Sequence, residues 1–295
     1  MLVYIVSLLL ILPSLVFGEE LKQFPDDGHI YRPRVDTGMG KYQAKSLHGT
    51  NQLVLTFDDG PHIEYTGKIL DLLKEYNAKA TFFVLTSKIN ENNRYLIDRI
   101  INEGHFLSSH DSDHDNNNNE SEETYKKELK KSIELIEEIT NELGVFQREK
   151  YYRFPYGAYG KSRYYHHMNV IKEVSEILYG ENCINFAFWD IDTNDWVPTM
   201  SSAEVAQNVK ANMEGGTAYT FRKASLANGR RGWVKVPYQI RNPIKGGVVL
   251  MHDVQKRTIE GTRLILKMAQ AKNWSIIPLN EVEEFDYKNK TCVLK

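Results

Sequence analysis

The sequence predicts an α/β fold with about seven parallel strands, in a sheet that is open or closed into a barrel. Three observations predict it. From about residue 53, short apolar runs alternate with amphipathic stretches at helical spacing. The helical stretches carry start and stop signals, among them Gly104, Gly144 and a Ser201–Glu204 capping box. The alternation repeats about seven times in one run, the pattern of β–α units around a parallel sheet. At 295 residues, 41% of them hydrophobic, the chain is long enough to enclose a substantial core.

The elements follow in order. "LVLTF" (53–57) is a buried strand, and "TGKILDLLKEY" a helix with Ile69, Leu72, Leu73 and Tyr76 on one face. "ATFFVL" (80–85) and "RYLIDRIINEG" repeat the unit, and "HFLSS" opens the third. The polar run "DNNNNESEE" (115–123) reads as a surface loop before a long helix with Leu129, Ile133, Ile136 and Leu143 apolar. "YYRF" (151–154), a helix to about Leu178 and the strand "INFAFWD" (184–190) come next, then the helix "SSAEVAQNVKANM". "GVVLMH" (247–252), "TIEGTRLILKMAQA" and "WSIIPL" complete the rhythm. An insertion at about 214–245 is basic, aromatic and without clear period. It is a loop or hairpin that either overhangs a site or decorates the surface.

The apolar run from Leu2 to Phe17 reads as a signal peptide over residues 1–18, cleaved after Gly18. It is short for a membrane span and broken by Pro13, with an uncleaved anchor as the alternative. Export to the periplasm or outside the cell is therefore expected, with no stable membrane anchor after cleavage. An N-terminal extension (19–50), a catalytic domain (51–285) and a C-terminal tail (286–295) follow, and a monomer is expected. The two cysteines, Cys183 and Cys292, can pair in an oxidising compartment, but spacing does not decide whether they do. A net charge of −2 offers no basic field for nucleic acid.

In α/β folds ligands gather where parallel strands end. Five strand ends here carry chemistry. Asp58 and Asp59 follow the first, and His110 and His114 the third. Arg153 and Tyr156 stand at the fourth, Asp190, Asp192, Asp195 and Trp196 after the fifth, and His252 at the sixth. Histidines four apart lie on one face of a helical turn and can share an ion, or they belong to a solvated loop. Asp59 would add an oxygen ligand from a neighbouring strand end, leaving open positions that suit a catalytic divalent ion. Adjacent carboxylates at a buried strand end repel, so an ion on one and a cation such as Arg153 on the other would relieve them. An ordinary Asp-Gly turn is the bland alternative. His252 is either a satisfied core histidine or a general acid whose ring pairs with Asp195. Trp196 is core filler or a pocket wall.

With these residues in hand, the chain resembles the NodB-type polysaccharide deacetylases, carbohydrate esterase family 4, from about residue 50 to 280. The resemblance rests on five motifs in order: "TFDDG", "HDSDH", "RFPY", "DTNDW" and "LMH". It implies a distorted (β/α) barrel and removal of acetyl from N-acetylglucosamine residues of a polysaccharide. Peptidoglycan ranks ahead of chitin-like glycans and acetylxylan because the signal peptide is of bacterial length and the chain has only two cysteines. It implies Asp58 as catalytic base, Arg153 as its support, and Asp59, His110 and His114 as ligands of Zn2+ or of Co2+, Mn2+ or Ni2+. The Tyr156 N–H would bind the oxyanion and His252, supported by Asp195, would be the general acid. Trp196 and Leu250 would line the substrate pocket. Asp111 departs from the family's Ser or Thr, and it can either stiffen the ligand loop or add charge near the ion. Rival readings are a glycoside hydrolase using "DIDTND", a non-haem iron oxygenase, and a glycan-binding relative without turnover.

Overall fold

The computed structural model describes residues 30–31, 41–42, 44–159, 166–225, 229–288 and 290–295. The expected signal peptide and most of the expected N-terminal extension lie outside them. A short antiparallel pair, β1 (Ile30–Tyr31) and β2 (Lys41–Tyr42), precedes the main body. Then come β3 (Gln52–Asp58), α1 (Thr66–Glu75), β4 (Ala80–Val84), α2 (Arg94–Asn102), β5 (Phe106–Ser109), α3 (Glu122–Glu142), β6 (Lys150–Tyr152) and α4 (His166–Tyr179). β7 (Ile184–Phe186), β8 (Ile191–Asp192), α5 (Ser202–Glu214), β9 (Gly216–Ser225), β10 (Arg231–Ile240), β11 (Gly247–His252), α6 (Lys256–Lys272) and β12 (Ser275–Ile276) follow. No helix among the described residues is long and apolar enough to cross a membrane.

Seven parallel strands run β7-β6-β5-β4-β3-β11-β8, and β12 pairs with the start of β3. The sheet curls into a half-barrel because its two edges, β7 and β8, are consecutive in sequence. The four residues between them reach at most about 18 Å fully extended, so the edges must come close. The Ala187 N–H bonds Tyr152 O at 2.8 Å on one side, and the Asp190 N–H bonds Val248 O at 2.9 Å on the other. The expected strand over 184–190 is shorter than its apolar run: β7 ends at Phe186 and β8 begins only at Ile191, since the chain has to turn across this seam.

Period-two alternation sorts each strand. Leu53, Leu55 and Phe57 join Ile69, Leu73, Ile97 and Ile265 in the core beneath the helices. Val54, Thr56 and Asp58 take the other face, towards the lumen. Register then stacks inward residues in layers: Val54 beside Val248, Thr56 beside Leu250, Asp58 beside His252. A one-residue slip would exchange lumen and core residues throughout β3, so burial of the helix-facing side fixes this register.

Cys183 and Cys292 form a disulfide with Cα atoms 5.8 Å apart, closing a separation of 109 residues. It ties the C-terminal tail under β6 and β7, where the Tyr287 hydroxyl donates to Lys150 O and accepts from Lys150 N–H. A loop of this length is worth about 4 to 5 kcal/mol in the chain-entropy account. Reduction, or Cys292→Ser, is therefore expected to lower the thermal midpoint clearly, as read by calorimetry with and without reductant. An unchanged midpoint would mean the buried tail holds without the bond.

Candidate active site

A cleft of about 780 Å³ opens where β3, β5, β6, β8 and β11 end, and Asp58, Asp59, His110, His114, Tyr156, Trp196, Leu250 and His252 all line it. Arg153 and Asp195 stand behind its wall, both fully buried. All ten site residues named from sequence thus meet around one cavity.

The cluster of Asp59, His110 and His114 sits on one side, its ligand atoms all within 4.8 Å of one another. Asp59 Oδ1 lies 3.4 Å from His110 Nε2 and 3.3 Å from His114 Nε2. Two atoms bound at 2.0–2.1 Å to one ion at a tetrahedral angle stand about 3.3 Å apart, so the spacing is that of shared ligands. Asp59 Oδ1 is also buried without a hydrogen-bond partner among the described residues, a state that an ion would relieve. His110 Nδ1 faces Arg153 O at 2.8 Å. A carbonyl only accepts, so the proton is on Nδ1 and the Nε2 lone pair is free for an ion. Burial and the neighbouring His110 hold the His114 ring below its ordinary pKa, favouring the neutral, ligating form. Burial acts to raise Asp59, but His252, His110 and His114 outweigh it and keep the carboxylate ionised.

The backbone reaches this arrangement differently from expectation. Residues 110–114 are not a helical turn: Asp111 and His114 have φ of 73° and 70° in an irregular loop. Nor are the ligand strands neighbours, because β4 lies between β3 and β5. The end of β4 draws the two loops together, its Leu85 N–H bonding Gly60 O at 3.0 Å and the Thr86 N–H bonding Asp111 O at 3.1 Å. Asp59 at φ 74° supplies the last turn. In a continued strand it would face opposite Asp58, whereas the left-handed backbone brings both carboxylates to the cleft. Asp111 stiffens the loop: it accepts Ser112 N–H (2.8 Å), Asn117 Nδ2 (2.9 Å) and Tyr152 OH (3.0 Å). Burial pushes its carboxyl above the ordinary range against those bonds.

Across from the cluster, Asp58 is 2% exposed and accepts from Arg153 Nη1 at 2.8 Å. The guanidinium also donates to Thr56 Oγ1 and to the carbonyls of Ala187 and Phe188, and lies 4.1 Å from the Phe83 ring centroid. A cation this deep is tolerable only when paired and fully bonded. His252 stands on the adjacent strand with Nδ1 2.6 Å from Asp195 Oδ1, and its own N–H donates to Asp195 Oδ2 at 2.7 Å. Burial opposes protonation of this ring, but Asp195, Asp59 and Asp58 prevail and raise its pKa to about 10. With Nδ1–H committed to Asp195, Nε2 is the nitrogen left to carry a transferable proton. Tyr156 has φ 59° and stacks its ring edge against His114 at 4.4 Å. Trp196 packs against Phe221 and Trp233.

Sequence reasoning missed the supports. Thr258 donates to Asp195 from α6, Arg257 caps the Asp195 carbonyl at 2.6 Å, and Asn117 braces Asp111 from within the low-complexity loop. Thr56 alone carried a local signal, as a polar residue among the apolar residues of β3.

The polysaccharide deacetylase family model matches residues 46–169. That stretch holds Asp58, Asp59, His110, His114, Arg153 and Tyr156 and ends before Asp195 and His252. A peptidoglycan-N-acetylglucosamine deacetylase of Bacillus cereus is 32% identical over 65% of this chain and 63% of its own length. The chain spans less than two thirds of the first curated relatives it matches. Among solved structures, the Bc1960 peptidoglycan N-acetylglucosamine deacetylase superposes with a TM-score of 0.57 at 24% identity, covering 80% of this chain and 89% of that one. A family 4 acetyl xylan esterase from Clostridium thermocellum, in complex with a cobalt ion, gives 0.55 at 21% identity over 78% and 89%. These superpositions show a shared fold.

Proposed function

We propose, from the match of residues 46–169 to the polysaccharide deacetylase family model and from the site described above, that the chain is a polysaccharide deacetylase that hydrolyses the N-acetyl groups of N-acetylglucosamine residues in a glycan, peptidoglycan first. The carrying observation is the register that seats Asp58 beside His252, each held by a buried opposite charge, next to the Asp59–His110–His114 cluster.

Asp59, His110 and His114 would hold a divalent cation, Zn2+ or a related ion, which when bound supplies Lewis acidity and lowers the pKa of water. Asp58, paired with Arg153 Nη1 at 2.8 Å, accepts a proton from the water as its oxygen adds to the acetyl carbon. The Tyr156 N–H donates to the oxyanion that forms, a contribution of about 3 to 4 kcal/mol for one such donor. His252 gives its Nε2 proton to the nitrogen as the C–N bond breaks, leaving acetate and a free amine. Asp195 fixes that ring's tautomer, and Trp196 and Leu250 wall the pocket and exclude bulk water. Asp58 must accept a proton and His252 must give one, and a buried group of opposite charge stands behind each.

Export follows as part of the reading, since a structural disulfide fits an oxidising compartment. The test is acetate release from peptidoglycan, chitooligosaccharide and acetylated xylan side by side. Release is expected chiefly from peptidoglycan. No acetate from any of the three would end the proposal, and new reducing ends instead would favour a glycoside hydrolase.

A further inference from the structure

The insertion at 214–245 is a hairpin: β9 and β10 pair over ten residues each, antiparallel. It is anchored, not loose. Asn194 and Asn208 both donate to Tyr219 O at 2.9 Å, Asn208 Oδ1 accepts Tyr219 N–H at 2.7 Å, and the Lys235 N–H reaches Thr199 Oγ1 at 2.8 Å. Asn194 directly precedes Asp195, so the arm is braced from the loop that supports the general acid.

We propose that this hairpin is a binding arm for a carboxylate-bearing stretch of glycan lying beyond the sugar that reacts. The proposal rests on the deacetylase reading and narrows its substrate class. Thr220, Phe221, Trp233 and Tyr238 line the same cleft as Asp58 and His252. Its 780 Å³ is towards the upper end of the roughly 300–1,000 Å³ usual for ligand sites, more than one acetylated ring needs. Trp233 and Tyr238 stay 37% and 44% exposed, and with Phe221 and Trp196 they give that cleft one aromatic wall, a grouped apolar surface of the kind that marks a binding site. The Trp233 ring is already set by edge-to-face contact with Trp196 (5.8 Å) and Phe221 (5.2 Å), so little ordering is left to pay on binding.

Charge selects the occupant. Residues 214–245 hold seven Lys or Arg and one Glu in a chain of net charge −2. Lys235 is engaged by Glu204. Arg222, Lys223 and Arg231 are exposed and form no ion pair among the described residues. The Lys223 ammonium lies 4.8 Å from the Trp233 ring centroid, placing a cation beside the aromatic wall. A neutral glycan would leave these charges idle. An anionic bilayer would meet them but could not reach rings that line a concave cleft. A polymer with acyl sugars and pendant carboxylates uses both.

The test measures binding without turnover, in the Asp58→Asn background, on peptidoglycan sacculi, on neutral chitin and on anionic phosphatidylglycerol vesicles. The triple variant Arg222→Glu, Lys223→Glu, Arg231→Glu is expected to weaken sacculus binding about tenfold, the combined effect of three exposed pairs, and to leave chitin binding unchanged. Added salt should erase the difference, and Trp233→Ala should weaken binding to both glycans. Equal binding of sacculi by the triple variant and its parent, an equal loss on chitin, or a loss confined to vesicles would each overturn the proposal. Absence of acetate release by the wild-type protein would instead defeat the deacetylase reading, a separate outcome.

Discussion

Replacing Asp58 by asparagine is expected to lower acetate release by about 10²- to 10⁴-fold, the usual worth of a positioned proton acceptor, while leaving the bound-metal stoichiometry unchanged. Asparagine keeps the shape and an oxygen for Arg153 Nη1, now at 2.8 Å from Asp58 Oδ1, but it cannot take a proton from water at neutral pH. It also leaves the fully buried guanidinium without its countercharge, and breaking a buried pair can cost about 3 to 5 kcal/mol. The rate must therefore be read on folded protein, with the thermal midpoint measured alongside. The two adjacent aspartates are separated by this experiment: loss of rate with metal retained assigns the base, loss of both would make Asp58 a ligand. A fully active Asp58→Asn protein removes proton transfer from this carboxylate altogether.

The second large effect concerns the ion. His110→Ala should cost metal affinity more than the roughly 10- to 100-fold that loss of a hydrogen-bond partner behind a ligand costs, and take acetate release to background. Chelation of the wild-type protein should do the same, and restoring a divalent ion should bring the rate back. Direct metal titration of the variant gives a readout that does not depend on turnover. Undiminished hydrolysis after complete chelation would leave the Asp59–His110–His114 cluster without a catalytic role.

Much of this was written locally in the chain. Five strand ends announced themselves as apolar runs that finish on Asp, His or Arg, because polar groups that must face a cleft interrupt burial there. The order of the motifs carried the resemblance. What stayed illegible depends on backbone angles and distant partners. Half of the ten non-glycine residues with positive φ among the described residues, Asp59, Asp111, His114, Tyr156 and Asn194, belong to the site or its supports; Asp, Asn and His favour such backbone more than most side chains do, but that preference is too weak to pick out the positions. A helical turn was the natural reading of His110 and His114 because their spacing fits one. The strand "INFAFWD" reads as continuous because its apolar character is, and only closure of the seam ends it at Phe186. The hairpin had no visible period because neither of its faces is consistently buried. Thr258 lies 63 positions from Asp195 and offered no local cue.

Arg153 has a consequence for how such a protein can change over generations. Its Nε and Nη2 hold the carbonyls of Ala187 and Phe188, the stitch between the two edges of the curled sheet, while Nη1 holds Asp58. Architecture and chemistry thus draw on a single side chain, and drift that eases the seam apart cannot be neutral for the proton acceptor. Variation in this lineage should then accumulate on outer helices and on the hairpin, where substrate preference can shift, while the stitch itself stays closed to experiment by mutation.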